Sequence, residues 1–302
     1  MTSLELVQKT LPTWSGRLAA HDICYNGDGH VHRAIPYDPT NPAVALQKAK
    51  LMKSDGVSLC IGTWQGPWAT SCNAAALAMS AACKTVGLQF ALLLDPGGMQ
   101  KWLYNTPAEV AAAQVTITAN VTTALQTAST VSMLNASSYC PEKWILDFNT
   151  GANLTTLAKT FPSYKFLAQG SGFSWIDIPD ISDSPARNAA AVANLKSQHA
   201  NPAMQIASFC KSFDDSGQPL PVGVQSQTAF DAAGGVRNLA NSVWGGPARI
   251  LESFAGQFSL QQLATINPAT PVIAILTLSD YDEQSSGPRE KILAEEQGIV
   301  WA

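Results

Sequence analysis

The chain repeats one order: a short apolar run, a polar loop, then an Ala-rich stretch with apolar positions at helical spacing. The apolar runs fall at about 19–25 (AAHDICY), 57–63 (VSLCIGT), 88–94 (LQFALLL), 143–148 (KWILDF), 164–169 (YKFLAQ), 204–210 (MQIASFC), 248–254 (ARILESF) and 271–278 (PVIAILTL). They are apolar throughout rather than alternating, which predicts strands covered on both faces. Helices are predicted at 41–54, 70–86, 107–135, 185–199, 226–242, 259–266 and 288–297. Asn41-Pro42 and Thr106-Pro107 each place a capping side chain before a first-turn proline. Gly56 and Gly87 sit where a helix has to stop before the next strand.

Eight strands alternating with helices predict an α/β fold, specifically a single (β/α)8 TIM barrel over residues 1–302, in preference to an open doubly wound sheet. No G-x-G-x-x-G follows the first strand and no G-x-x-x-x-G-K-[ST] is present, which counts against dinucleotide and nucleotide folds. No internal repeat or low-complexity linker divides the chain.

Composition narrows the partners. Hydrophobic residues make up 46% and charged residues 13%, with a formal net charge of -4. Without a basic cluster, no nucleic-acid or anionic-membrane partner is expected. The longest apolar runs are too short to span a bilayer. The opening MTSLELVQKTLPTW lacks the basic and apolar regions of a secretory signal, so none is expected there. The compartment stays open, with extracellular or virion-associated placement among the options, as does assembly as a homo-oligomer or within a larger structure. The six cysteines (24, 60, 72, 83, 140 and 210) include no C-x-x-C pair and read as buried free thiols.

A barrel of this type carries its site where the C-terminal strand ends open into loops. After strand one come Tyr25, Asp28, His30 and His32; after strand two, Trp64, Gln65 and Trp68; after strand three, Asp95. Asp147 and Asn149 follow strand four, Gln169 and Trp175 strand five, and Lys211, Asp214 and Asp215 strand six. Glu252 lies in strand seven, and Asp280, Tyr281, Asp282 and Glu283 follow strand eight. Rings that stack on sugar faces, with carboxylates and amides that bond hydroxyls, make a carbohydrate cleft. Plainer roles compete: Asp95 before Pro-Gly-Gly equally suits a turn, and Trp64 and Trp68 equally suit packing. Asp147 and Asp280 favour function, because a carboxylate ending an apolar strand is costly unless paired or solvated. The run HDICYNGDGHVHRAIPYDPTNP (21–42) reads as the first rim loop. Its His-x-His ranks as a metal site below loop-bonding and sugar-rim roles, so no metal or other cofactor is expected.

The segment YNGDGHVHRAIPYDPTNPAVALQKAKLMKSDGVSLCIGTWQGPW resembles the N-terminal portion of barrels related to glycoside hydrolase families 71 and 99. The matching features are Tyr25, Gly29-His30, Asp38-Pro39-Thr40-Asn41-Pro42, Met52 and Trp64-Gln65-Gly66-Pro67. TLSDYDEQSSG resembles the families' eighth-strand signature through Asp280, Tyr281 and Glu283, with Leu278 and Gln284 standing where Trp and Gly are usual. The glutamate pair of family 99 has no counterpart that can be placed here. The resemblance implies a glycosidase-like barrel. Glycosidic cleavage needs one carboxylic acid and one carboxylate base or nucleophile; Asp147, Glu252, Asp280 and Glu283 are the candidates for catalysis. Tyr25, His30, His32, Trp64, Trp68, Asp95, Trp175, Asp214 and Tyr281 are the candidates for binding the sugar. A catalytically silent carbohydrate-binding or structural protein on the same scaffold is the alternative.

Overall fold

The computed structural model describes residues 4, 5, 8, 15–22, 38–67, 69–95, 106–148, 150–177, 193, 197, 200–210 and 272–278. Its strands are β1 (Arg17–Asp22), β2 (Val57–Trp64), β3 (Gln89–Leu94), β4 (Trp144–Asp147), β5 (Lys165–Ala168), β6 (Phe173–Asp177), β7 (Ile206–Cys210) and β8 (Val272–Leu278). They form one eight-stranded sheet in the order β5-β4-β3-β2-β1-β8-β7-β6, and all its strand pairs are parallel. The fold is α/β.

The described helices are α1 (Pro42–Ser54), α2 (Thr70–Val86), α3 (Pro107–Leu125), α4 (Ala128–Ala136) and α5 (Leu154–Thr160). The Asn41 side chain accepts from the Ala43 N–H at 2.9 Å and starts α1. Thr106 and Glu109 form a capping box at α3, each side chain accepting from the other's backbone N–H. Gly87 ends α2 at φ 70, a left-handed conformation that costs glycine little. One helix was expected over 107–135. It breaks because Thr127 takes extended backbone and its hydroxyl donates to the Ala124 carbonyl at 2.9 Å.

Side-chain alternation sorts the core into two layers. Leu18, Cys60, Phe90, Leu92, Leu94 and Ile145 face the helices and pack with Ala49, Met52, Met79, Val121 and Leu125. Ala19, Leu59, Ile61, Ala91, Leu93, Trp144, Leu146, Leu167, Phe173 and Ile206 form the layer on the other face, called the inner face below. Both faces of the strands are therefore buried, as their continuous apolar sequences predict. At Gly62 a Cβ would lie 2.5 Å from Phe90 Cζ, so glycine is what lets this ring lie against β2.

The expected strand at 204–210 is β7. The expected strand at 248–254 and the helices at 226–242, 259–266 and 288–297 lie outside the described residues, as does most of 185–199. A strand at Phe173–Asp177 was not expected. Successive parallel strands normally need a long crossover, yet β5 and β6 are joined by residues 169–172 alone. Gly170, at φ +79, turns the chain, and its N–H donates to the Phe173 carbonyl at 2.8 Å. Gly172 passes Leu167 so closely that a Cβ would sit 2.9 Å from the Leu167 Cβ. The two strands meet through one bridge, Gln169↔Phe173. A Gly-Ser-Gly sequence that reads as the end of a strand is here a sideways step between two.

Candidate functional site

The C-terminal ends of β1 to β5 lie side by side. The hydrogen bonds that complete the last strand pairs reach one residue past three strands: the N–H groups of Asp95, Phe148 and Gln169 donate to the carbonyls of Trp64, Leu94 and Asp147 at 2.9, 2.9 and 3.2 Å. Since Trp64 pairs with Leu94, Leu94 with Asp147 and Asp147 with Ala168, the next row is Gln65, Asp95, Phe148 and Gln169. It shares the inner face with Thr63, Leu93, Leu146 and Leu167 one step below, because alternate residues share a face. Phe148 packs against the inner cluster, in agreement with that assignment.

Several polar groups among the described residues belong to the inner face toward this end. Asp95 is partly exposed. Burial, followed by the like charge of Asp147, raises its carboxyl to about 6. Gln65 is buried, and its N–H donates to the Asn73 Oδ1 at 3.1 Å, which ties the loop after β2 to α2. Lower on the face, His21 Nε2 and Thr63 Oγ1 are hydrogen-bonded at 2.6 Å across β1 and β2. His21 is buried, and loss of hydration drives its pKa down to about 3, so the ring is neutral at ordinary pH.

Asp147 faces the other way. It shares its face with Leu94 and Ile145, the side that the helices cover. Burial raises its carboxyl to about 6, opposed by hydrogen bonds from the side chain and backbone of Thr150. The Thr150 hydroxyl donates to Asp147 Oδ1 and accepts from the Ala152 N–H at 3.0 Å, fixing the loop that leads into α5. Asp22 has the same orientation and pairs with Lys48 of α1 at 2.5 Å, both side chains 3% exposed.

Of the residues singled out from sequence, Asp95 and Asp147 come together at neighbouring strand ends. Trp64 is 1% exposed in the helix-facing core, so its ring packs there and does not line an open rim. Trp175 lies within β6 with its backbone paired to Ser208, rather than on a loop after β5. Tyr25, His30, His32, Trp68, Asp214, Glu252, Asp280, Tyr281 and Glu283 lie outside the described residues. Thr63, Thr150 and the inward placement of His21 were not anticipated. The signal for Thr63 was its two-residue spacing from Leu59 and Ile61. Among the described residues no group of three or more His, Cys, Asp or Glu is placed to hold a metal ion, and no helix is long and apolar enough to cross a membrane. Cys60, Cys72, Cys83 and Cys140 are buried free thiols.

No protein-family model matches the chain, and no curated protein matches it. A solved structure does: a GH99 endo-alpha-mannosidase from B. thetaiotaomicron, at 11% identity and TM-score 0.50, covering 90% of this chain and 87% of that one. The likeness is one of fold, an α/β arrangement around a parallel sheet. A 7,8-dihydropteroate synthase from Vibrio fischeri aligns at 11% identity over 94% of this chain and 92% of its own, with TM-score 0.34. The virulence factor SghA, solved with its substrate analog salicin, aligns at 10% identity over 96% of this chain and 92% of its own, with TM-score 0.40. Both overlaps are looser than that with the mannosidase.

Proposed function

We propose that the chain is a glycosidase-like (β/α)8 barrel that binds carbohydrate, and cleaves it if a second carboxylate completes the site, at the C-terminal ends of its strands. The observation that carries this reading is the gathering of Asp95, Asp147, Gln65 and Gln169 at adjacent parallel strand ends, in a fold shared with a GH99 endo-alpha-mannosidase. Sugar sites need this mixture of a protonatable carboxyl, amides for hydroxyls and a carbon-rich face.

Register supports closure of the sheet into a barrel. From Arg17 the pairing passes through Val272, Ile206, Phe173 and Gln169, then along the row of Phe148, Asp95 and Gln65. Gln65 is three residues past Gly62, which pairs with Asp22, five residues past Arg17, so the offset accumulated around the sheet is eight residues. Eight is the stagger of the (β/α)8 barrel. Two-carboxylate cleavage needs a partner for the β3–β4 acids; Glu252, Asp280 and Glu283 are the candidates, with Tyr25, His30, His32, Trp68, Asp214 and Tyr281 as further ligand contacts.

A silent, carbohydrate-binding role is the second reading, favoured by the tethering of Asp147 to Thr150 on the helix-covered face. A panel of glycans, followed by product analysis and by saturation-transfer NMR, tests both. Release of reducing ends that is lost in Asp95→Asn supports the enzyme. Binding without product, weakened by Asp95→Asn, supports the silent form. Neither binding nor release across α- and β-linked mannans, glucans and galactans would reject both.

A further inference from the structure

The sequence points to Asp147 for chemistry and to Asp95 for contact with the ligand, whereas the geometry separates the two differently. We propose that Asp95 is the reacting or recognising carboxyl, seated in the inner-face row with Gln65, Phe148 and Gln169 so as to take a neutral, hydroxyl-rich ring, and that Asp147 is a positioning residue acting through it. The ligand class rests on the carbohydrate reading above; the division of roles does not.

The first support is direction. Alternation along β3 puts Ala91, Leu93 and then Asp95 on the inner face, while along β4 it puts Ile145 and Asp147 on the helix-covered face. The second is access: Asp95 is partly exposed, and Asp147 is 6% exposed with a hydroxyl of its own loop on its Oδ1. A ligand reaching Asp147 would have to displace Thr150, which also holds the Ala152 N–H at the start of α5. The third is chemistry. Phe148, partly buried against the inner cluster, stands between Asp95 and Gln169 in the row and adds carbon surface to carboxyl and amide neighbours, a mixture that suits a sugar ring. The four residues of the row include no cation, and Asp95 brings a negative charge that disfavours an anionic sugar there. Asp147 pairs through its backbone with Leu94, next to Asp95, and there its like charge adds to the burial that raises the neighbouring carboxyl.

The test is carbodiimide-driven coupling of glycinamide to the full-length chain, mapped by peptide mass spectrometry across pH 4 to 8. Coupling at Asp95 should exceed that at Asp147 at least about tenfold, since reaction at a buried group waits on local opening. Asp147→Asn should move the pH midpoint of Asp95 coupling downward, a change that loss of packing alone would not give. Mannobiose or cellobiose should slow coupling at Asp95, and a galacturonic acid dimer should not. Equal coupling at both residues, or an unmoved midpoint in Asp147→Asn, overturns the division of roles. If the roles hold but none of the neutral sugars protects Asp95 or binds by NMR, the ligand class falls together with the carbohydrate reading. If sugars bind by NMR without protecting Asp95, the seat is wrong and the carbohydrate reading survives.

Discussion

Replacing Lys48 by Met tests how the first helix is joined to the sheet. Lys48 lies on the buried side of α1 with Val44, Ala45, Ala49, Leu51 and Met52, and its ammonium meets the Asp22 carboxylate at 2.5 Å. Both side chains are 3% exposed, so neither charge has much water to fall back on when its partner goes. Removing one member of such a pair costs about 3–5 kcal/mol, mostly as the penalty on the charge left behind. Further polar contacts of Asp22 and Lys48 bring the expected loss to the lower part of that range. With a urea slope of about 3 kcal/mol per molar, the unfolding midpoint should drop by about 1 M. Asp22→Asn should fall similarly. The double variant Asp22→Leu/Lys48→Met should recover most of the loss, because it buries no unpaired charge. Lys50→Met, on the exposed side of the same helix, should stay within about 0.5 kcal/mol of the parent. A Lys48→Met midpoint within about 0.3 M of the parent at unchanged slope would refute the reasoning, since it corresponds to only about 1 kcal/mol.

Three further outcomes follow from the same geometry. Burial raises the Asp147 carboxyl from 3.8 to about 6, so its stabilising contribution is complete below pH 3.8 and lost as the pH rises through 6. Asp147→Asn, which still accepts from Thr150, should therefore stabilise the chain at pH 8 by up to about 3 kcal/mol and make no difference near pH 3.5, as urea melts at both pH values will check. His21 behaves oppositely: its pKa falls from 6.5 to about 3, so its contribution is complete above pH 6.5 and lost as the pH drops toward 3. Thermal melts of His21→Gln should show a weaker loss of stability between pH 6.5 and 4 than the parent shows. Gly62→Ala would press a methyl to 2.5 Å from Phe90 and should cost about 1–3 kcal/mol by urea melts; Phe90→Leu in the same chain should return part of it.

Much of the frame was legible because it depends on local patterns. Continuous apolar runs identified β2, β3 and β4 closely, since a strand buried on both faces has no polar side to interrupt it. Asn41-Pro42 and Thr106-Pro107 fixed two helix starts for the same local reason. The step from β5 to β6 escaped because Gly170 and Gly172 look like a turn in any sequence, and only their contacts with Phe173 and Leu167 make them a strand junction. At the strand ends, residue type alone did not tell which side chains share a face. Trp64, Asp95 and Asp147 all read as rim groups.

By itself, then, the sequence determined the alternation of buried strands and helices and the strand ends that carry acids and amides. Tertiary structure decided which of those side chains share a face. A single-residue change of position reverses the direction of a strand side chain. It therefore separates Asp95, on the inner face, from Asp147 and Trp64, on the helix side.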